Sequence, residues 1–209
     1  MTETEMRHAL AREDLCRLLA ACYYEPEPAF VAEGLFDNLL AAAQLVDESF
    51  VPHAQALGAT FRATEPQALL LDYTRLFLGP MDILAKPYGS VWLDQEKTLM
   101  NDSTLALLEL YKEAGFEMDE EFRELPDHIA AELEFLYLLI FRENEALRTG
   151  DTAKFKQARN LKQRFLTQHL SCWIGPFTDA MRGHAQTDFY RQLADLTEKV
   201  VNKETGLTG

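Results

Sequence analysis

Apolar side chains recur every three or four residues along almost the whole chain, the spacing of helices with one buried face. Leu15, Leu18, Leu19 and Cys22 mark a first helix, which the chain leaves at Glu25-Pro26-Glu27-Pro28. A second helix is predicted over about Phe30 to Leu45, with Gly34 counting against it, as Gly58 counts against the short piece after Pro52. Thr64 and Gln67 have capping-box spacing, and Leu69, Tyr73, Leu76 and Phe77 then share an apolar face until Gly79-Pro80.

From Gly79 to about Glu96 no period fits. Two prolines interrupt the segment, and Lys86-Pro87-Tyr88-Gly89-Ser90-Val91-Trp92-Leu93 reads as apolar but extended. A long irregular stretch inside a helical domain is uncommon and often functional. Helical spacing resumes from about Thr98 to Ala114, with Gly115 as C-terminal cap, and Pro126 opens the longest helix. That helix carries Ile129, Leu133, Leu136 and Ile140 on one face and further apolar residues on the others, which predicts a central, buried element. Gly150 ends it. Asp151 caps a helix to about His169, and shorter helices follow at Phe177 to Arg182 and Thr187 to Asn202. No alternating strand pattern appears, so the prediction is an all-α chain of eight to ten helices in a single domain over residues 1–209, with 1–6 and 203–209 as frayed tails.

Composition narrows the function classes. The longest uninterrupted apolar run, Phe135 to Phe141, is far short of the roughly 18 residues of a membrane span. The first residues, acidic before Arg7 and without an apolar core, do not read as a targeting signal, so a cytoplasmic protein is expected. A net charge of −14 disfavours nucleic acid and anionic lipid and favours a basic partner. Cys16, Cys22 and Cys172 form no CxxC pair and are expected to be reduced, buried thiols.

No phosphate loop, HExxH, GxSxG or dinucleotide fingerprint is present, and neither a metal nor a cofactor is called for. His128 and Glu132, four apart, have the spacing of helical metal ligands but read more simply as an unrelated pair on a solvated face. Pro126, Asp127 and His128 would present a carboxylate and a neutral imidazole at a positive helix end, or serve as an ordinary helix start. Tyr73, Leu76 and Phe77 are core or the wall of a groove. Tyr88, Val91, Trp92 and Leu93, with no evident helix to bury them, suggest the groove, and cluster and loop together suggest a site for an apolar peptide.

Three separated pieces then occur in order: Tyr73-Thr74-Arg75-Leu76-Phe77 with Gly79-Pro80, Pro87-Tyr88-Gly89-Ser90-Val91, and Glu124-Leu125-Pro126-Asp127-His128-Ile129-Ala130-Ala131-Glu132. Together with His169-Leu170 and Trp173, this set resembles the TorD/DmsD family of redox-enzyme maturation chaperones over roughly residues 10 to 180. The resemblance implies an all-helical, non-catalytic cytoplasmic chaperone. It would bind the twin-arginine signal peptide and the apo-form of a molybdopterin-containing oxidoreductase, as a monomer or a helix-exchanged dimer. It implies a peptide site at Tyr73, Leu76, Phe77, Pro87, Tyr88, Gly89, Trp92, Pro126, Asp127 and His128, with Asp127 among the groups meeting the arginines. A rival reading is a metal- or nucleotide-dependent hydrolase using Asp127, His128 and Glu132; another is a helical adaptor without a signal-peptide role.

Overall fold

A computed structural model describes residues 2–79, 82–94, 101–118 and 124–207. The helices are α1 (Glu3–Ala21), α2 (Ala29–Ala32), α3 (Leu35–Val46), α4 (Val51–Ala63), α5 (Pro66–Tyr73), α6 (Gly89–Leu93), α7 (Asp102–Ala114), α8 (Ile129–Thr149), α9 (Thr152–Phe165), α10 (Ser171–His184) and α11 (Asp188–Thr205). Two π-helical segments interrupt this pattern. Thr74–Leu78 prolongs α5, and Leu166–Leu170 fuses α9 to α10, so the described residues form ten helical rods. Among them the one extended pairing is an isolated antiparallel bridge between Tyr88 and His128.

The all-α expectation holds, and one hydrophobic core runs through the molecule. α8 is its axis: Ile129, Leu133, Leu136 and Ile140 are buried as their spacing predicts, and so are Ala130, Phe135 and Leu139 on other faces. It packs between α1 and α9, while α10, α11 and α4 close the other side. Aromatic side chains fill the joints, with Phe77 among Tyr23, Phe177 and Tyr190, and Phe135 among Tyr111, Phe116 and Phe165.

Several local expectations change. The helix predicted over 30–45 breaks at Gly34 into α2 and α3. Gly58 sits inside an unbroken α4, because a Cβ there would come within 2.9 Å of the Cβ of Phe36; close approach of α3 and α4 overrides its weak propensity. Thr64 is not a capping residue for α5: it ends α4, and its hydroxyl donates to the Thr60 carbonyl at 2.7 Å. The helix expected at Phe177–Arg182 is part of α10, which tolerates Pro176. Thr2 and Glu5 form a capping box for α1, and α11 continues to Thr205. Cys16 and Cys22 are buried, whereas Cys172 is exposed, on the outer side of α10. Pro80, Glu96 and Thr98 lie outside the described residues.

Candidate functional site

The three motif segments meet. Where the helix ends after Leu78, the carbonyls of Arg75 and Leu76 have no helical partner. They accept from Leu84 N–H at 3.4 Å and Ala85 N–H at 2.8 Å, which fastens the following loop to the π-segment. That loop then pairs with the start of α8: Ile129 N–H donates to the Pro87 carbonyl at 2.8 Å and Gly89 N–H to the Asp127 carbonyl at 2.9 Å. Orphan backbone groups at the ends of three elements thereby satisfy one another.

Beyond the loop the chain turns into α6, so Gly89–Leu93 is helical rather than extended. Asp127 is the reason it can be. Its carboxylate Oδ2 accepts from Ser90 N–H at 2.8 Å and from the Thr104 hydroxyl at 3.3 Å, acting as a cap supplied from another element. Asp127 is fully buried and its carboxylate serves α6, whereas the resemblance places it among the groups meeting the arginines of a signal peptide. Pro126 does not open α8 either; residues 126–127 form a turn and α8 begins at Ile129. The capping residue is His128, whose Nδ1 accepts from Ala130 N–H at 3.2 Å. Burial pushes its pKa down to about 4, against the pull of Glu124 and Asp127, so the imidazole is neutral and its Nδ1 lone pair stays available.

Beneath the loop lies a second, wholly buried layer. Glu132 Oε1 meets His169 Nε2 at 2.8 Å, and its Oε2 accepts from Trp173 Nε1 at 3.2 Å. Burial raises the Glu132 pKa, an effect opposed by His169. For His169 burial acts downward, but the attraction of Glu132 outweighs it and the net shift is upward. Gly89 fits over this layer because it has no side chain; a Cβ would lie 3.0 Å from Glu132 Oε1 and 3.1 Å from both His169 Nε2 and Trp173 Nε1. Glu132 is therefore not on a solvated face, and its two oxygens are taken up by His169 and Trp173. Among the described residues no group of three His, Cys, Asp or Glu side chains is placed to hold a metal.

The outer layer is aromatic and acidic. Tyr88 is partly exposed, sits edge-on to His128 at 5.4 Å and donates to Glu124 Oε2 at 2.6 Å. Tyr24 donates to Glu134 Oε1 at 2.7 Å. Tyr73 is nearly buried, its pKa raised to about 12 by burial and then by the charges of Glu124 and Glu25. Trp92, anchored by Nε1 to the Lys86 carbonyl at 2.9 Å, walls a cavity of about 280 Å³ with Leu84 and Val91. Leu76 and Phe77, by contrast, are core residues with 0% and 2% exposure, and Pro87 and Gly89 are buried supports. The accessible candidates are thus Tyr88, Trp92 and Pro126, joined by Glu124, Glu134 and Tyr24. Spacing could not single out Tyr24 and Glu134, which lie 110 positions apart.

Residues 39–179 match the family model described as nitrate reductase delta subunit. The chain is 33% identical over 195 residues to the Tat proofreading chaperone DmsD of Salmonella typhi, covering 90% of this chain and 87% of that one. It is 32% identical over 130 residues to the chaperone protein TorD of Vibrio parahaemolyticus, covering 61% and 58%. A solved redox enzyme maturation protein candidate from Archaeoglobus fulgidus shares the fold, with a TM-score of 0.56 at 21% identity over 91% of this chain and 93% of that one. These relatives are chaperones rather than enzymes, which removes the support for a hydrolase. The ordered motifs, the shared fold and the match across most of its length together show that this chain belongs to the TorD/DmsD family of redox-enzyme maturation chaperones.

Proposed function

We propose that this chain is a cytoplasmic proofreading chaperone, which binds the twin-arginine signal peptide of a molybdopterin-containing oxidoreductase and holds the apo-enzyme until its cofactor is inserted. The observation that carries this reading is the pairing of a partly exposed aromatic wall with carboxylates at the junction of the three motif segments. The wall, Tyr88 and Trp92 with the cavity beside Leu84 and Val91, which Lys86 and Asp94 also line, suits the hydrophobic part of a signal peptide. Glu124 and Glu134, each already accepting from a tyrosine hydroxyl, suit two guanidinium groups. The DmsD relative is named for Tat proofreading, which agrees with this chemistry.

Two partly exposed aromatic anchors at about 1.5 kcal/mol each and two charge-assisted hydrogen bonds at about 2 to 3 kcal/mol each, less an ordering cost of about 2 kcal/mol, leave roughly 5 to 7 kcal/mol. That is a Kd between about 200 and 10 μM, weak enough for handover to an export machinery. Titration calorimetry with synthetic twin-arginine leaders from the same genome tests it. Saturable binding that disappears when both arginines are replaced by glutamine supports the reading. No binding to any leader, together with pull-downs from anaerobic cells that contain no molybdoenzyme, rejects it.

A further inference from the structure

The far end of α8 carries a second cavity that the signal-peptide reading does not use. It lies between α7, α8 and α9, has a volume of about 340 Å³, and centres on Arg142, about 20 Å along the helix from Ile129 at 1.5 Å per residue. The gap exists because two alanines meet where larger side chains would fill it. Ala146 of α8 and Ala158 of α9 form its floor with Leu139 and Leu161, all of them nearly inaccessible to bulk solvent. A volume at the low end of ligand sites, with an apolar floor and a few convergent polar groups, is the pattern of a small-molecule site.

The charges set the class of ligand. Both rim carboxylates are already neutralised from outside the lining: Glu113 by Arg164, through two bonds of 2.8 and 3.0 Å, and Glu145 by Arg148 at 2.5 Å. Among the described residues Lys154, also on the rim, has Asp151 at 3.5 Å as its one carboxylate. Arg142 has no carboxylate partner among the described residues, and its Nη1 donates to the Ala114 carbonyl, which fixes the guanidinium over the floor. Counted with their ion-pair partners, the charges around the cavity are positive by a small margin although the chain carries −14 overall, since Arg142, Arg148, Lys154 and Arg164 stand against Glu113, Glu145 and Asp151.

We infer that this cavity is a second binding site, for a small organic anion whose carboxylate or phosphate meets Arg142 and whose apolar body covers Ala146 and Ala158. The fixed guanidinium supplies the charge-assisted contact and the alanine floor the apolar one. The test is titration of the full-length ¹⁵N-labelled chain with benzoate and phenyl phosphate, benzyl alcohol as neutral control and benzamidine as cationic control. Expected are saturable shifts of the amides near Ala146 and Thr149, with one or both anions at least about tenfold tighter than benzyl alcohol, as one charge-assisted bond implies. The two anions separate the carboxylate from the phosphate source. Arg142→Gln should lose that preference while leaving benzyl alcohol unchanged, and Ala158→Leu, which fills the floor without touching Arg142, should abolish all shifts. Equal response to benzamidine and the anions, no saturable shift with any probe, or an Arg142→Gln protein that binds the anions as before overturns the inference.

Discussion

Replacing Gly89 by alanine tests the two-layer construction of the site with a single methyl group. The added Cβ would sit 3.0 Å from Glu132 Oε1 and 3.1 Å from His169 Nε2 and Trp173 Nε1. None of the three can move away cheaply, because each is buried and Glu132 is held at 2.8 Å by His169 and 3.2 Å by Trp173. Overpacking of this kind costs about 1 to 3 kcal/mol. Alanine recovers about 0.5 to 1 kcal/mol through its better helix propensity in α6. The balance is a loss centred on about 1 kcal/mol, or a Tm lowered by about 2 to 4 °C for a protein of this size. Gly183→Ala in α10 is the matched control. Its Cβ would meet nothing within 4 Å, so the same substitution should stabilise by about 0.5 to 1 kcal/mol. Thermal and urea unfolding of both variants decide the matter: a Gly89→Ala protein as stable as the parent, or more so, would show that the loop does not rest on the Glu132 layer.

Other consequences follow from burial and charge. Leu76→Ala should cost about 2 to 5 kcal/mol in urea unfolding, as a core truncation, whereas Trp92→Ala should weaken leader-peptide binding roughly tenfold by calorimetry. His128, with a folded pKa of about 4 against 6.5 unfolded, binds its proton more readily in the unfolded chain; its contribution is complete above about pH 6.5 and is lost as pH falls to 4. Tm measured against pH should therefore fall less steeply between 6.5 and 4 in His128→Asn, which keeps a capping acceptor, with a difference approaching about 3 kcal/mol. Glu204 accepts from Arg12 at 2.5 Å and Lys162 at 3.2 Å in a largely buried network, so Glu204→Ala should cost about 3 kcal/mol or more by unfolding. The exposed Arg7–Glu3 pair is the contrast, and Arg7→Ala should change stability by less than about 0.5 kcal/mol.

The helical class, the central position of α8 and the order of the motif segments are legible in the residues alone. Hydrophobic period is a local property, and Ile129, Leu133, Leu136 and Ile140 express it without reference to the rest of the chain. Asp151, Gly115 and Gly150 likewise end or begin helices as their own chemistry requires. Which motif residues face solvent depends instead on long-range packing. Leu76 and Phe77 share a spacing that fits core or groove equally, and packing against Tyr23, Phe177 and Tyr190 makes Phe77 core. Asp127 reads as a surface acid at a helix start until Ser90 N–H and Thr104, 37 and 23 positions earlier, claim its carboxylate. Glu132 acquires a role from His169 and Trp173, and Glu134 from Tyr24, across separations that no periodicity spans. A side chain's type states which bonds it can make. Only the fold brings the partner that decides whether it is a support beneath the site or a group that meets the ligand.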